Sequence, residues 1–322
     1  RLPGSRASRS SASCACSPVG KLKRVSQPYA PGGSPTEWTT YNYDCFGRPL
    51  TVSHPGSSGT TTYVYEGNTV RVIDPAGKWK KSAYDVFGNL VQVTEPNPGG
   101  GEVYTYYTYN LRNQLTLVQM PRSGYTQTRT FNYDLATGRL TSQTLPESGT
   151  TSFTYNSDGT LAYQVDAKNQ KTEYSYDSFK RVTQVRRYPT PGNEDVYQRV
   201  DYTWDSNPYG GSRNLAGRLG VESWRVYAQG AVRWLRHTYS YTPGGQVEKK
   251  GLAWVLGGVT ATMEASYQYD NEGRMTEQRY PNGGQGFTYA YDSLGRLQGV
   301  VDKDTQGAVV SGMQYGVGRR DF

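Results

Sequence analysis

At 322 residues the chain is long enough for one large domain or two ordinary ones, and long enough to bury a core. Its 29 Tyr against 7 Phe, with 38 Gly and only 4 Met, point to strands and turns and away from a helical protein, because Tyr suits a pleated, half-buried surface and Gly closes turns. Of the formal charge of +8, residues 1–24 supply +6 through Arg1, Arg6, Arg9, Lys21, Lys23 and Arg24 with no acid, which leaves +2 for the rest; a nucleic-acid binder would carry its charge on the folded part, so no nucleic-acid partner is expected.

In chain order, residues 1–37 come first: basic, rich in Ser, Gly and Pro, and expected to form a disordered tail. They lack the apolar core of a signal peptide, and no window of 18 apolar residues occurs anywhere, so no membrane-spanning helix is expected. The chain begins at Arg1, as a portion of a longer protein would. Cys14, Cys16 and Cys45 support neither a disulfide framework nor a metal site.

From 38 to 322 one unit recurs about twelve times. Aligned on the aromatic residue before a turn, the units are anchored at Tyr43, Tyr65, Tyr84, Tyr109, Tyr133, Tyr155, Tyr176, Trp204, Tyr241, Tyr269, Tyr291 and Tyr315. In ten of them the residue two places earlier is also aromatic, as in "YNY", "FTY" and "YTW". A spacing of two puts both rings on one face of a strand.

The residues after the aromatic pair encode a hairpin turn. In "YDCFGR", "YDVFGN", "YDNEGR" and "YDSLGR" an Asp (Asp44, Asp85, Asp270, Asp292) can accept a hydrogen bond from the backbone two residues on. A Gly (Gly47, Gly88, Gly273, Gly295) supplies the left-handed conformation that closes a type I turn with a bulge. "YDLATGR" carries one residue more between Asp134 and Gly138, which a bulge or longer loop absorbs. "YNLRNQL" substitutes Asn113 for Gly, whereas "YDSFKR" puts Lys180 there after Tyr176 and Asp177, which predicts local strain or an altered turn. Arg48 begins its return strand, where a solvated or cross-strand ionic role is expected; Arg139, Arg274 and Arg296 take the same structural repeat position. Strands such as 89–96, 139–146 and 274–281 then run back and end at Pro. Between about 205 and 262 the repeat loosens: "DSNPYGGSRNLAGRLG" inserts a longer loop, and Gly230 amid Val, Trp and Tyr favours a hairpin over a helix at 222–236.

The units "YDCFGRPLTV", "YDVFGNLVQV", "YDSFKRVTQV" and "YDSLGRLQGV" resemble the YD repeat of the RHS (rearrangement hotspot) family, over about residues 38–322. The resemblance implies an all-β chain of tandem antiparallel hairpins forming a long curved sheet or spiral strip. Such strips build the hollow shells of bacterial polymorphic toxins, insecticidal toxin-complex subunits and teneurin ectodomains. It further implies a non-enzymatic wall that helps enclose and deliver a C-terminal toxin or effector. The partners would be the remaining repeats and that effector in the same larger protein, and the location secreted or at the cell surface. Twelve hairpins give roughly 24 strands, and at about 4.8 Å per strand a strip of about 115 Å, too short to close a container alone. The chain is therefore expected to be an internal portion of a bacterial RHS protein.

Other chemistry is thin. Asp74-Pro75-Ala76-Gly77 resembles the Asp-Pro-x-Gly element of the family's self-cleavage site, but it lies between two repeats and is expected to be a turn. His54 and His237 have no Cys or carboxylate at a metal-like spacing, and "GxSxG" is absent, so no catalytic residue, metal or cofactor is expected. Tyr rings with Trp79, Trp204, Trp224, Trp234 and Trp254 could form a carbohydrate-binding face for cell-surface glycans, an alternative to cross-strand packing within the sheet. A second alternative is an enzyme housed in the irregular 205–262 region.

Overall fold

The computed structural model describes residues 14–16, 20–29, 33–56, 58–228, 230–256, 259–281, 283–316 and 319–321. Regular structure among them is entirely β. The chain divides into two compact units, Arg1–Glu147 with Ser293–Arg296 and Tyr315–Asp321, and Ser148–Asp292 with Leu297–Gln314 and Phe322.

The first unit runs through strands from Cys14–Cys16 to Leu140–Leu145, and the second from Gly149–Tyr155 to Ala308–Val310. Within each, a strand pairs antiparallel with the strands before and after it in sequence, as in Trp38–Tyr43 with Pro49–Ser53 or Lys171–Tyr176 with Val182–Tyr188. Such nearest-neighbour packing is the logic of a repeat protein, in which each hairpin is supported by its flanks.

At the anchor aromatics the register shifts by one residue: Tyr43 pairs with Pro49, Tyr84 with Leu90, Tyr176 with Val182 and Tyr269 with Met275. The shift is the bulge that a left-handed fourth turn residue creates. The opposite ends of the hairpins are more varied, and several reuse the Asp turn. Asp74 accepts the Ala76 and Lys78 N–H groups on Oδ1, so Asp74–Gly77 is a turn between two strands. Asp166 does the same for Lys168 and Gln170, with Asn169 at φ 61°.

Two expectations need correction. The boundary at residue 37 is misplaced: Leu22–Ser26 lies inside the supposed tail, yet it pairs with Trp38–Tyr43, Arg24 opposite Thr40, and Cys14–Cys16 pairs with it in turn. A strand needs only a free edge to pair with, and composition does not register that edge. Residues 1–13 of the expected tail lie outside the described residues. The length that could bury a core yields few buried apolar side chains: among the described residues these are Val93, Val118, Val185, Val221 and Ala253, of which Val221 alone is fully buried. At 222–236 the chain forms a hairpin, Leu219–Ala228 against Ala231–Tyr241, with Trp224 opposite Leu235.

Candidate functional site: the repeated turn and the expanded loop

The turn after Tyr43 shows how the motif works. Asp44 Oδ1 accepts the backbone N–H groups of Phe46 and Arg48, each at 2.9 Å, and Oδ2 accepts Arg48 Nε at 2.7 Å. Gly47, at φ 76°, donates its N–H to the Asp44 carbonyl at 3.0 Å. Asp177 and Asp270 repeat the set: Phe179 and Arg181 on one, Glu272 and Arg274 on the other, with Arg Nε to Oδ2 at 2.7 and 2.6 Å. Arg48, Arg181 and Arg274 thus each pair with their own turn's Asp, four residues back, a partner that the expected solvated or cross-strand role did not name.

The carboxylates respond accordingly. Burial works to raise the pKa of Asp44, Asp177 and Asp270, but hydrogen bonds from the backbone and guanidinium of the following arginine outweigh it and hold all three below the ordinary value. Asp85 is lowered first by the Asn89 side chain, which stands in for arginine and reaches Oδ2 at 2.9 Å. Asn89 also donates to Oδ1 of Asn113 in the next turn at 3.1 Å. Asp134 is lowered chiefly by Thr137, whose hydroxyl and N–H both bond Oδ1 at 2.7 Å. That contact absorbs the extra residue before Gly138.

Between turns the couplings form a ladder. The anchor aromatic of one unit donates its polar hydrogen to the carbonyl of the first return-strand residue of the unit before. The hydroxyls of Tyr43, Tyr65, Tyr133, Tyr176, Tyr241, Tyr269 and Tyr291 donate to the carbonyls of Leu22, Pro49, Leu115, Leu161, Leu219, Val247 and Met275, at 2.7 to 3.0 Å. Arginine covers the same ring from the previous turn: Arg48 over Tyr65 at 4.1 Å, Arg274 over Tyr291 at 5.0 Å and Arg296 over Tyr315 at 4.5 Å, within cation–π range. Burial raises the pKa of Tyr65, Tyr176, Tyr241, Tyr269 and Tyr291, which keeps these donors neutral.

The remaining expected positions fit this frame locally. Tyr84 is more exposed and its backbone N–H bonds the Asn68 carbonyl at 3.0 Å. Gly88, Gly138, Gly273 and Gly295 lie at φ 84°, 73°, 80° and 76°, and Arg139 starts the strand side of its turn, where its carbonyl accepts the Asp134 N–H. Asp292 stands between Gly286–Tyr291 and Leu297–Asp302. Lys180 adopts φ 63° with the hydrogen bonds of the ordinary turn, so it is strained and not rerouted. The Tyr65 unit has no Asp turn: Glu66 pairs with Thr69 across a two-residue connection.

The irregular region is itself an expanded YD turn, which sequence reading missed. Asp205, after Trp204, accepts the distant Gly217 N–H on Oδ1 at 2.6 Å, and its N–H bonds the Arg218 carbonyl at 2.9 Å. Arg218 then lies over Tyr241 at 5.5 Å, as an ordinary motif arginine would. The "GR" at 217–218 was the available signal. The inserted segment folds back onto the sheet, where Arg213 N–H bonds Ser240 Oγ at 3.2 Å, Asn214 Nδ2 bonds the Tyr241 carbonyl at 2.6 Å, and Arg213 pairs with Glu248 at 2.6 Å. Beneath it lies a cleft of about 570 Å³ bounded by Tyr209–Ser212 and by Arg236, Thr238, Gly251 and Thr262. His237 alternates to the other face, with Nδ1 3.2 Å from Glu222 Oε2 and its ring 4.8 Å from Trp224. His54 Nε2 lies 2.9 Å from Thr61 Oγ1.

Hairpins ended by an Asp-locked turn and coupled ring to carbonyl define an RHS/YD-repeat protein. The sequence profile of the teneurin YD-shell matches residues 20–207, more than half of the chain, and the chain belongs to that family. A search of the curated proteins finds no match. Among solved structures, the crystal structure of TcdB2-TccC3-TEV superposes with a TM-score of 0.71 at 17% identity, covering 95% of this chain and 17% of that one. A Tc holotoxin pore of Photorhabdus luminescens gives 0.73 at 17% identity over 94% and 16%. TcdB2-TccC3 without its hypervariable C-terminal region gives 0.68 at 15% identity over 97% and 18%. At these identities the likeness is one of fold, and the chain spans about a sixth of the length of the proteins it matches.

Proposed function

We propose that the chain is a non-catalytic stretch of wall in a longer RHS protein, contributing to a hollow β-shell that encloses a C-terminal toxin or effector and acts outside the producing cell. Its partners are then the remaining repeats and that effector. The observation that supports this reading best is the ladder. The Tyr, Asp and Arg of the motif, which in isolation look like reactive groups, are engaged in closing turns and joining each hairpin to the last. Chemistry of this kind extends a sheet and occupies the polar groups of those three residues. A strip of this length encloses nothing alone, so the role belongs to the assembled shell.

The test uses the longer protein that carries this chain. In limited proteolysis the C-terminal segment of the intact protein is expected to survive, and to be digested once residues 148–292 are removed. Equal digestion of that segment in both forms would refute the enclosing role.

A further inference from the structure

We infer that the cleft beneath Tyr209–Ser212 is a docking site for an acidic peptide segment, one aspartate or glutamate side chain of which pairs with Arg236. The cleft lies wholly within the second unit and its role is independent of the shell role, so either can fail without the other.

Arg236 is only 8% exposed, and among the described residues nothing accepts a hydrogen bond from it. The side-chain nitrogens that are both unpartnered and sealed from solvent are the Nε atoms of Arg71, Arg186 and Arg225. Those of Arg236 are not among them, so its guanidinium opens into the cleft that it lines. Tyr209 covers one face of that guanidinium, with Cζ 3.5 Å from the ring centre. Guanidinium donors point outward in their own plane, so an acceptor has to lie beside the Tyr209 ring and level with the guanidinium, where a carboxylate takes two parallel hydrogen bonds.

A buried arginine without a counter-ion is costly, and an acidic side chain removes that cost. Lys249 and Glu264, the other charges lining the cleft, pair with each other at 2.6 Å, so one positive charge remains. A phosphate group, with about two negative charges at neutral pH, would leave one of them unmatched.

The rest of the cleft suits main chain better than a free acid. At about 570 Å³ it is far larger than one carboxylate. Gly210 and Gly211 in the loop and Gly251 in the sheet bring backbone to its walls in place of side chains, which permits the close approach of another backbone. The N–H groups of Gly211 and Ser212 have no acceptor among the described residues and can donate to peptide carbonyls. Hydroxyls of Thr238, Thr260 and Thr262 can donate or accept, which matches the N–H and C=O groups that every peptide unit carries. The segment that fits therefore has one acidic residue between neutral ones.

Titration calorimetry on the intact chain tests this with three probes: an end-blocked pentapeptide of alanines with a central glutamate, the same peptide with a central glutamine, and acetate. The glutamate peptide is expected to bind saturably, and the glutamine peptide and acetate at least about tenfold more weakly. Arg236→Met is expected to weaken the glutamate peptide by at least about tenfold and to leave the circular dichroism of the sheet unchanged. Tyr209→Ala removes an exposed loop ring, uncovers the guanidinium and is expected to weaken the same peptide, which keeps the site measurable even if Arg236→Met does not fold. The inference is overturned if the glutamate peptide fails to saturate, if the glutamine peptide or acetate binds as tightly, or if either folded variant binds the glutamate peptide as the parent does.

Discussion

Trp204 occupies the ladder position that the neighbouring units give to tyrosine, and its indole Nε1 donates to the carbonyl oxygen of Val182 at 2.8 Å. The side chain changes and the donated hydrogen does not, because the carbonyl beside a motif arginine has to be satisfied from the next unit. Arg181 reinforces the same junction: it pairs with Asp177 at 2.7 Å and Asp205 at 2.5 Å, and lies 5.1 Å from the Trp204 ring.

Loss of the donor is therefore expected to cost more than loss of ring size. Trp204→Phe and Tyr176→Phe should each lower stability by about 1 kcal/mol in urea denaturation, the usual worth of a partly buried hydrogen bond, whereas Trp204→Tyr should cost less. If Trp204→Phe matches the parent, the ladder bond contributes nothing.

Acid should weaken the turns together. Asp44, Asp85, Asp134, Asp177 and Asp270 all sit below the ordinary carboxylate value in the folded chain. A lowered folded pKa means stability that is complete above the unfolded value near 4 and is lost as pH falls through the folded one. Urea midpoints are expected to hold from pH 7 to about 5 and to drop below 4, and Asp270→Asn should flatten that drop. A midpoint indifferent to pH between 5 and 2.5 would contradict the account.

Lys180 holds a left-handed backbone at φ 63°, where a Cβ costs about 1–2 kcal/mol. Lys180→Gly relieves that strain, loses the Nζ bond to the Asp158 carbonyl at 2.8 Å and gains unfolded-chain entropy. A net rise in stability of up to about 1 kcal/mol is expected. Gly88→Ala supplies the control: at φ 84° with open space around the added Cβ, it should lower stability by about 1 kcal/mol through backbone strain alone.

Gly220→Ala should act on the inserted loop and spare the ladder. The clash with Ser206 is with backbone, which cannot swing aside, so the segment over the cleft has to lift. Hydrogen exchange is expected to speed up at Arg213, whose N–H bonds Ser240, and to stay unchanged at Asp177, in the neighbouring turn. Unchanged exchange at Arg213 would show that the loop does not depend on this close approach.

Much of this architecture is readable in the amino-acid order. Asp44 to Gly47 is a closed circuit of hydrogen bonds within five residues, so the turn is written locally, and the Tyr41–Tyr43 spacing places both rings on one face wherever the strand goes. The same locality exposed Lys180 as a misfit. Arg48 resisted reading because its charge could be satisfied in several ways, and its ring partner, Tyr65, belongs to the next unit.

The tertiary structure alone settles what depends on partners far apart in sequence. The acceptors of the Tyr hydroxyls lie 15 to 22 residues away, and only the pairing register brings a given carbonyl beneath a given ring. Leu22–Ser26 becomes a strand because Trp38–Tyr43 offers it an edge, against the tendency of its composition. Arg236 and Tyr209, in different elements, meet because the Asp205 turn closes on Gly217 across the insertion and folds its contents onto the sheet. Short-range hydrogen bonding is a property of the residues present, whereas a long-range contact exists only once the intervening chain has been folded away.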